Sequence, residues 1–321
     1  MNILHKLIQD GVLNEQEGVS IEAFEREKPM SVHWELKSIL YLGILLLVAG
    51  ISVLVYLNID TIGHQAIIAA IAAGTAYCFY YAYKNKLPFS HEQVTHTSPL
   101  FDYMVLLGCL LFGVLIGYLQ FQYSIFGLHY GLATVLPTVL YFFAAYFFDH
   151  KGVLSLGITG LASWVGISAT PMQLLEQNDF NDLTIILTSI GLGLSLAVLS
   201  KLFETKDIKK HFGFTYNNFA ANMLFIATLA ALFDKEFKII SFLFLALVCF
   251  YYIRYAISEQ SFLFLLLSIL YGYIGLTYAF FSVLIDFSSD LSFIFGLLFV
   301  LASCAGIILF FIYYKRILKL K

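Results

Sequence analysis

Polar side chains that could bind a small molecule gather after two of the chain's apolar segments. In "YLNIDTIGHQ", Asn58 and Asp60 follow the first segment. The third segment runs into "YLQFQYSIFGLHYG", which adds four more such side chains: Gln120, Gln122, Tyr123 and His129. Together these amide, carboxylate, phenol and imidazole groups could hold an uncharged or amphipathic molecule by hydrogen bonds. We treat the six residues as a candidate outer pocket; the alternative is that they terminate helices at a membrane surface.

Polar groups also occur within the apolar depth of the chain. Gln120 lies at its edge, where a polar side chain needs a hydrogen-bond partner. Three residues lie deeper and form a candidate interior polar set: Asn222, Tyr271 and Tyr278. Tyr271 and Tyr278 are two helical turns apart and share one face, which fits either a pocket lining or packing between helices. Asn222 requires a partner, which we expect on another helix.

No catalytic motif is present in the sequence. There is no G-x-S-x-G, no H-E-x-x-H and no phosphate-binding Gly-Lys-Ser/Thr loop. Asp60 and His64 are four residues apart, but two residues are too few for a metal site. We therefore expect no catalytic residues, no metal and no cofactor.

The elements that position these groups follow from composition. Hydrophobic residues make up 60% of the 321, and charged residues only 12%, about half of what a soluble domain carries. A bilayer is the natural solvent for such a chain, and each crossing requires about 20 consecutive apolar residues in a helix. The sequence predicts an all-α, polytopic membrane bundle.

Ten apolar segments are long enough to serve as membrane spans. They cover residues 38–57, 65–83, 100–120, 131–148, 152–170, 184–203, 216–233, 239–257, 261–285 and 291–314. The seventh is the weakest, because it opens on the polar "YNN" at Tyr216. We predict a ten-span domain at 38–314, an N-terminal segment at 1–37 and a basic tail at 315–321.

The distribution of basic residues predicts the orientation. Summed over alternate inter-span segments and the two termini, 16 of the 18 lysines and arginines fall on one side. The positive-inside rule places that side, with both termini, in the cytoplasm of a bacterial inner membrane. Lys206, Lys209 and Lys210 form the densest basic cluster, which we interpret as contact with anionic lipid headgroups rather than with nucleic acid.

The N-terminal segment has the pattern of two short amphipathic helices. "ILHKLIQDG" carries apolar residues on one face, and Asn14 with Glu17 has the spacing of a capping box. A cytoplasmic protein partner could dock on residues 1–30; the alternative is packing against the protein's own loops.

Three motifs resemble a known family. The N-terminal "LIQDGVLNEQEG", a first span closing on Asn-x-Asp, and a third span running into "GYLQFQY" resemble the bacterial predicted membrane proteins of domain of unknown function 2157. That family typically ends the first span with Asn-Trp-Asp, where this chain has Ile59. The resemblance covers roughly residues 1–170. It implies a membrane topology and no activity, because the family has none established.

Two functions are favoured over a third alternative, an intramembrane enzyme. One is a carrier of an uncharged or amphipathic small molecule that binds in the outer pocket. The other is a non-catalytic membrane subunit or scaffold that binds a cytoplasmic partner through the N-terminal helices.

Overall fold

The fold is given by a computed structural model. It describes residues 14, 33–57, 63–94, 99–127, 129–169, 183–207, 209–233, 238–284 and 289–320. The predicted N-terminal helix pair, and with it the proposed partner-docking segment at 1–30, lies outside this part except for Asn14. So do Asn58 and Asp60.

Ten α-helices and one short 3-10 helix, with no strand, make up the secondary structure of the described residues. They are α1 His33–Leu57, α2 His64–Lys84, α3 Pro99–Tyr123, α4 Tyr130–Phe148, α5 Lys151–Ala169, α6 Leu183–Thr205, the 3-10 helix Lys210–Phe212, α7 Gly213–Phe233, α8 Lys238–Ser258, α9 Phe262–Leu284 and α10 Ser289–Ile317. Each predicted span coincides with one α-helix. Eight of these helices are long and apolar enough to cross a membrane, and α1 contains a shorter apolar stretch, Ser38–Leu54. The predicted all-α, polytopic helical fold is confirmed.

The chain divides into two compact units, Met1–Ile51 and Ser52–Lys321, whose boundary falls within α1. In the first unit the described structure is essentially the beginning of α1. All the sites considered below belong to the second unit.

Successive helices of the second unit pack on one another as antiparallel neighbours. The ends of α2, α4, α6 and α8 therefore lie on the same face as the beginnings of α3, α5, α7 and α9. A hydrogen bond joins the α2–α3 and α6–α7 links at this face: the Lys209 backbone N–H donates to the His91 carbonyl at 3.0 Å. We call this the basic face, since the helix ends and links that form it carry eight of the 14 lysines and arginines of residues 52–321.

Helix α7 lies at the centre of the C-terminal helices. It packs on α6, α8, α9 and α5, and 56% of its apolar window is buried. Phe225 is fully buried there, with its ring stacked on Tyr271 of α9 at a centroid distance of 5.0 Å. The outward side chains of the neighbouring helices are apolar and exposed, as with Leu187 and Leu247. Such a surface suits lipid and not water.

Small residues permit close packing at some helix contacts. A Cβ at Gly160 of α5 would collide with Thr138 of α4, and one at Gly157 would touch the Phe142 ring at 3.4 Å. Gly157 and Gly160 of α5 therefore face α4 and let the two helices approach closely. By contrast, a Cβ at Gly117 or Gly306 would meet no atom within 4 Å.

Candidate functional site

A buried ion-pair cluster joins three links at the basic face. Asp149 ends α4 in the left-handed conformation, with φ 58°, so that its carboxylate turns back under the helix ends. It pairs with Lys209 at 3.1 Å, and their side chains are 4% and 1% exposed. The same carboxylate bonds His211 Nε2 and accepts the Val94 N–H at 2.6 Å. The α2–α3, α4–α5 and α6–α7 links are thus held by one carboxylate.

The space around this cluster decides its role. The cavity beside Asp149 and Lys209 measures about 10 Å³, and a single water molecule needs about that much. No ligand fits there, so the cluster is structural. The interpretation of Lys209 as a lipid-contacting base is wrong, because burying an ammonium group requires a paired carboxylate and Asp149 supplies it.

A second polar network crosses from α7 to its neighbours. Asn217 Nδ2 donates to Ser200 Oγ of α6 at 2.6 Å and to the Tyr255 hydroxyl of α8 at 3.0 Å. Tyr255 donates in turn to the Glu204 carboxylate at 3.3 Å. Asn217 is 2% exposed, and its Oδ1 has no hydrogen-bond partner among the described residues. The network fixes the wall of the space described next.

A polar chamber of about 610 Å³ opens at the basic face beside this network. Charged and polar side chains of four links and helices surround it: Lys201, Glu204, Lys210, His211, Tyr255 and Glu259. Lys201 and Glu204 pair at 3.3 Å, with side chains 65% and 16% exposed. The volume lies within the range of about 300–1,000 Å³ that is typical of small-molecule sites. His211 belongs to both the chamber and the Asp149 cluster, so the cluster positions this part of the chamber wall.

An apolar groove of about 310 Å³ lies between α6 and α8 and reaches Lys201. Its lining is aliphatic and aromatic and includes Leu194, Ala197, Val198, Phe244, Leu247 and Tyr251. Of the residues that the structure describes, Lys201 alone lines both the groove and the chamber. The two spaces adjoin at this side chain, with the charged chamber at the face and the apolar groove extending along α6 and α8 from it.

Another apolar cavity, of about 820 Å³, lies between α9 and α10. It is lined by side chains such as Leu270, Tyr273 and Phe299, and no charged residue lines it. It therefore lacks the groups that would orient a ligand.

The structure gives Gln120 of the predicted outer pocket a local role. Its side chain is 8% exposed and closes the turn after α3. Nε2 donates to the Gly127 carbonyl at 2.9 Å, and Oε1 accepts the Phe126 N–H at 2.9 Å. The partner that burial requires is thus the backbone of its own link.

Three other members of the predicted outer pocket, Gln122, Tyr123 and His129, lie nearby on the face opposite the basic face. Gln122 Nε2 lies 3.2 Å from His64 Nε2, and His64 Nδ1 lies 2.8 Å from the Tyr118 hydroxyl. Tyr123 and His129 are exposed. Gln122 therefore bonds α2, whereas Gln120 bonds its own turn. Whether the six residues bind a ligand stays a prediction.

The candidate interior polar residues serve packing and local bonding. Asn222 Nδ2 donates to the Asn218 carbonyl at 2.8 Å, so the expectation of a partner on another helix is wrong. A side-chain donor one turn along the same helix can be satisfied by a backbone carbonyl. Tyr271 stacks on Phe225, and Tyr278 lies edge-on to Phe233 with centroids 4.7 Å apart. Both tyrosines of the predicted stripe thus pack on α7.

The chamber residues are those that the sequence reasoning missed. Glu204 ends α6, whereas Tyr255 and Glu259 lie together at the end of α8. Glu204 and Tyr255 are 51 residues apart, and no local pattern links them. One signal was present, since "YNN" places Asn217 at the beginning of an otherwise apolar span.

One family of known proteins matches the N-terminal half of the chain. Residues 5–154 match the family model described as Predicted membrane protein (DUF2157). No curated protein and no solved structure matches the chain. The matched region includes Gln120 and Asp149 and ends within α5, before the helices that form the chamber and the groove. The N-terminal half of this chain is thus similar to a family of predicted membrane proteins, as its motifs indicate.

Proposed function

We propose that the protein is a membrane carrier of an amphipathic small molecule. The observation that carries the proposal is the meeting of the polar chamber and the apolar groove at Lys201. A molecule with a polar head and an apolar tail would place the head among Lys210, His211 and Glu259. Its tail would lie between α6 and α8, where it replaces bulk lipid against an apolar surface.

The orientation forms part of the same proposal. The basic face is the cytoplasmic face of a bacterial inner membrane, because the positive-inside rule places lysine-rich links there. The chamber would then load from the cytoplasm or from the inner leaflet. The predicted outer pocket, to which Gln122 belongs, would be the exit side.

Blocking the groove is expected to abolish transport. In vesicles containing the purified protein, a fluorescent phospholipid should cross between leaflets faster than in protein-free vesicles. Val198→Trp should return the rate to the protein-free level, because the indole would fill the groove. Leu187→Trp is the matched control, since both residues lie on α6 and are 59% and 58% exposed. It should transport like the unmodified protein.

Either of two results would overturn the proposal. One is that the unmodified protein leaves the crossing rate unchanged. The other is that Val198→Trp, incorporated at the same level and equally heat-stable, transports normally. Dithionite quenching of the outer leaflet measures the rate in each case.

A further inference from the structure

The charges of the chamber point to a specific head group. We propose that the chamber selects a membrane lipid whose head group carries both a phosphate and a primary ammonium, the phosphoethanolamine class. This inference rests on the proposed function and names its substrate class. It comes from the signs and the positions of the lining side chains.

The chamber presents both signs of charge in equal number. Lys201 and Lys210 supply two cations, and Glu204 and Glu259 supply two anions. Glu204 is already engaged, since it pairs with Lys201 and accepts from Tyr255. Among the described residues, no ion pair joins Lys210 or Glu259 to another side chain. One cation and one anion are thus left for a ligand.

A zwitterionic head group complements this pair. Lys210 follows α6 and Glu259 follows α8, so the two charges come from different links around one cavity. The phosphate would bind Lys210, and the ammonium would donate to Glu259. Charge-assisted hydrogen bonds of this kind are about twice as strong as neutral ones. An anionic head group without an amine would leave Glu259 facing a like charge.

The primary amine matters because of its protons. A carboxylate accepts hydrogen bonds, which an ammonium provides and a quaternary choline does not. Choline is instead bound by cages of several aromatic rings. Among the described residues, the chamber lining includes two Phe, Tyr or Trp side chains, Phe214 and Tyr255, and the Tyr255 hydroxyl already bonds Glu204. Thr205 and Ser261, at the chamber edge, provide further oxygen acceptors for an ammonium.

The groove makes the ligand a lipid rather than a free head group. It adjoins the chamber at Lys201 and has room of about 310 Å³ along α6 and α8. Free phosphoethanolamine would leave this space unused. We therefore expect the tethered chain to add affinity through the apolar area that it buries.

Native mass spectrometry of the full-length protein, with equal amounts of phosphatidylethanolamine, phosphatidylcholine and phosphatidylglycerol, tests the inference. Phosphatidylethanolamine should be the most abundant bound lipid. Glu259→Gln should lower its ratio to phosphatidylcholine about tenfold, as expected for one lost charge-assisted hydrogen bond. Glu92→Gln, an exposed glutamate of the basic face outside the chamber, should leave the ratio unchanged.

Lys210→Gln is the second test variant. It should weaken binding of all three phospholipids, because each of them carries the phosphate that Lys210 would bind. Equal binding of the three lipids, a preference for phosphatidylglycerol, or an unchanged ratio in Glu259→Gln would overturn the inference. So would competition by free phosphoethanolamine at the same concentration as the lipid. If the unmodified protein accelerates leaflet crossing but does not select phosphatidylethanolamine, the carrier proposal stands and only this inference fails. If the unmodified protein does not accelerate crossing, the carrier proposal itself fails.

Discussion

Replacing Asp149 by alanine is expected to lower the free energy of unfolding by about 3–5 kcal/mol. The change would leave the Lys209 ammonium without its carboxylate at a position that is 1% exposed. It would also release His211 and the Val94 N–H from the same acceptor. An SDS unfolding titration in mixed micelles measures the loss.

A matched control separates burial from charge. Lys201→Gln removes the cation of the other ion pair at this face, whose lysine is 65% exposed. An exposed pair contributes about 0–1 kcal/mol, so stability should change little. If Asp149→Ala cost no more than Lys201→Gln, the cluster would not hold the three links together.

Replacing Phe225 by alanine is expected to cost about 3–5 kcal/mol, the usual result of truncating a fully buried aromatic side chain. Phe225 is 0% exposed and packs against Tyr252 and Tyr271, so its loss would open a cavity at the centre of α7. The same titration detects the change.

Ile226 provides the control at the next position of the same helix. It is 56% exposed and faces away from the core, so Ile226→Ala should shift stability by less than about 1 kcal/mol. Equal effects at the two positions would contradict the placement of α7 at the centre of the bundle.

The sequence alone predicts where the helices lie in the chain, but it does not predict which helices pack on one another. Apolar length alone predicts ten helical segments, because the backbone of a span must satisfy its own hydrogen bonds. Which helix is central depends on contacts between distant segments, which hydropathy does not report. The span that hydropathy ranks weakest is α7, and it is the most buried of the eight candidate spans.

Buried polar residues explain why the candidate span with the lowest hydropathy is also the most buried. Tyr216 and Asn217 lower the apolarity of α7, yet they are 3% and 2% exposed. Tyr216 bonds the Tyr146 hydroxyl at 3.0 Å, and Asn217 bonds Ser200 and Tyr255. A helix that faces other helices can carry such groups, whereas one that faces lipid cannot. Polar residues within a span therefore indicate burial against protein.

The basic cluster illustrates a second limit. Lys206, Lys209 and Lys210 look alike in the sequence, but they have different environments. Lys206 and Lys210 are exposed, and Lys209 is buried on Asp149 from a link about 60 residues away. The positive φ of 48° at Lys209 turns its side chain inward, and no local pattern signals this conformation.

Photocrosslinking of a phospholipid with a diazirine on its acyl chain tests most directly whether the groove holds a lipid chain. Leu247 lines the groove and Leu243 does not, although both lie on α8 and are 63% and 64% exposed. Bulk lipid would label the two positions equally. A lipid seated in the groove should label Leu247 more strongly, and Val198→Trp should remove the excess. Equal labelling of Leu243 and Leu247 in the unmodified protein would contradict the proposed site.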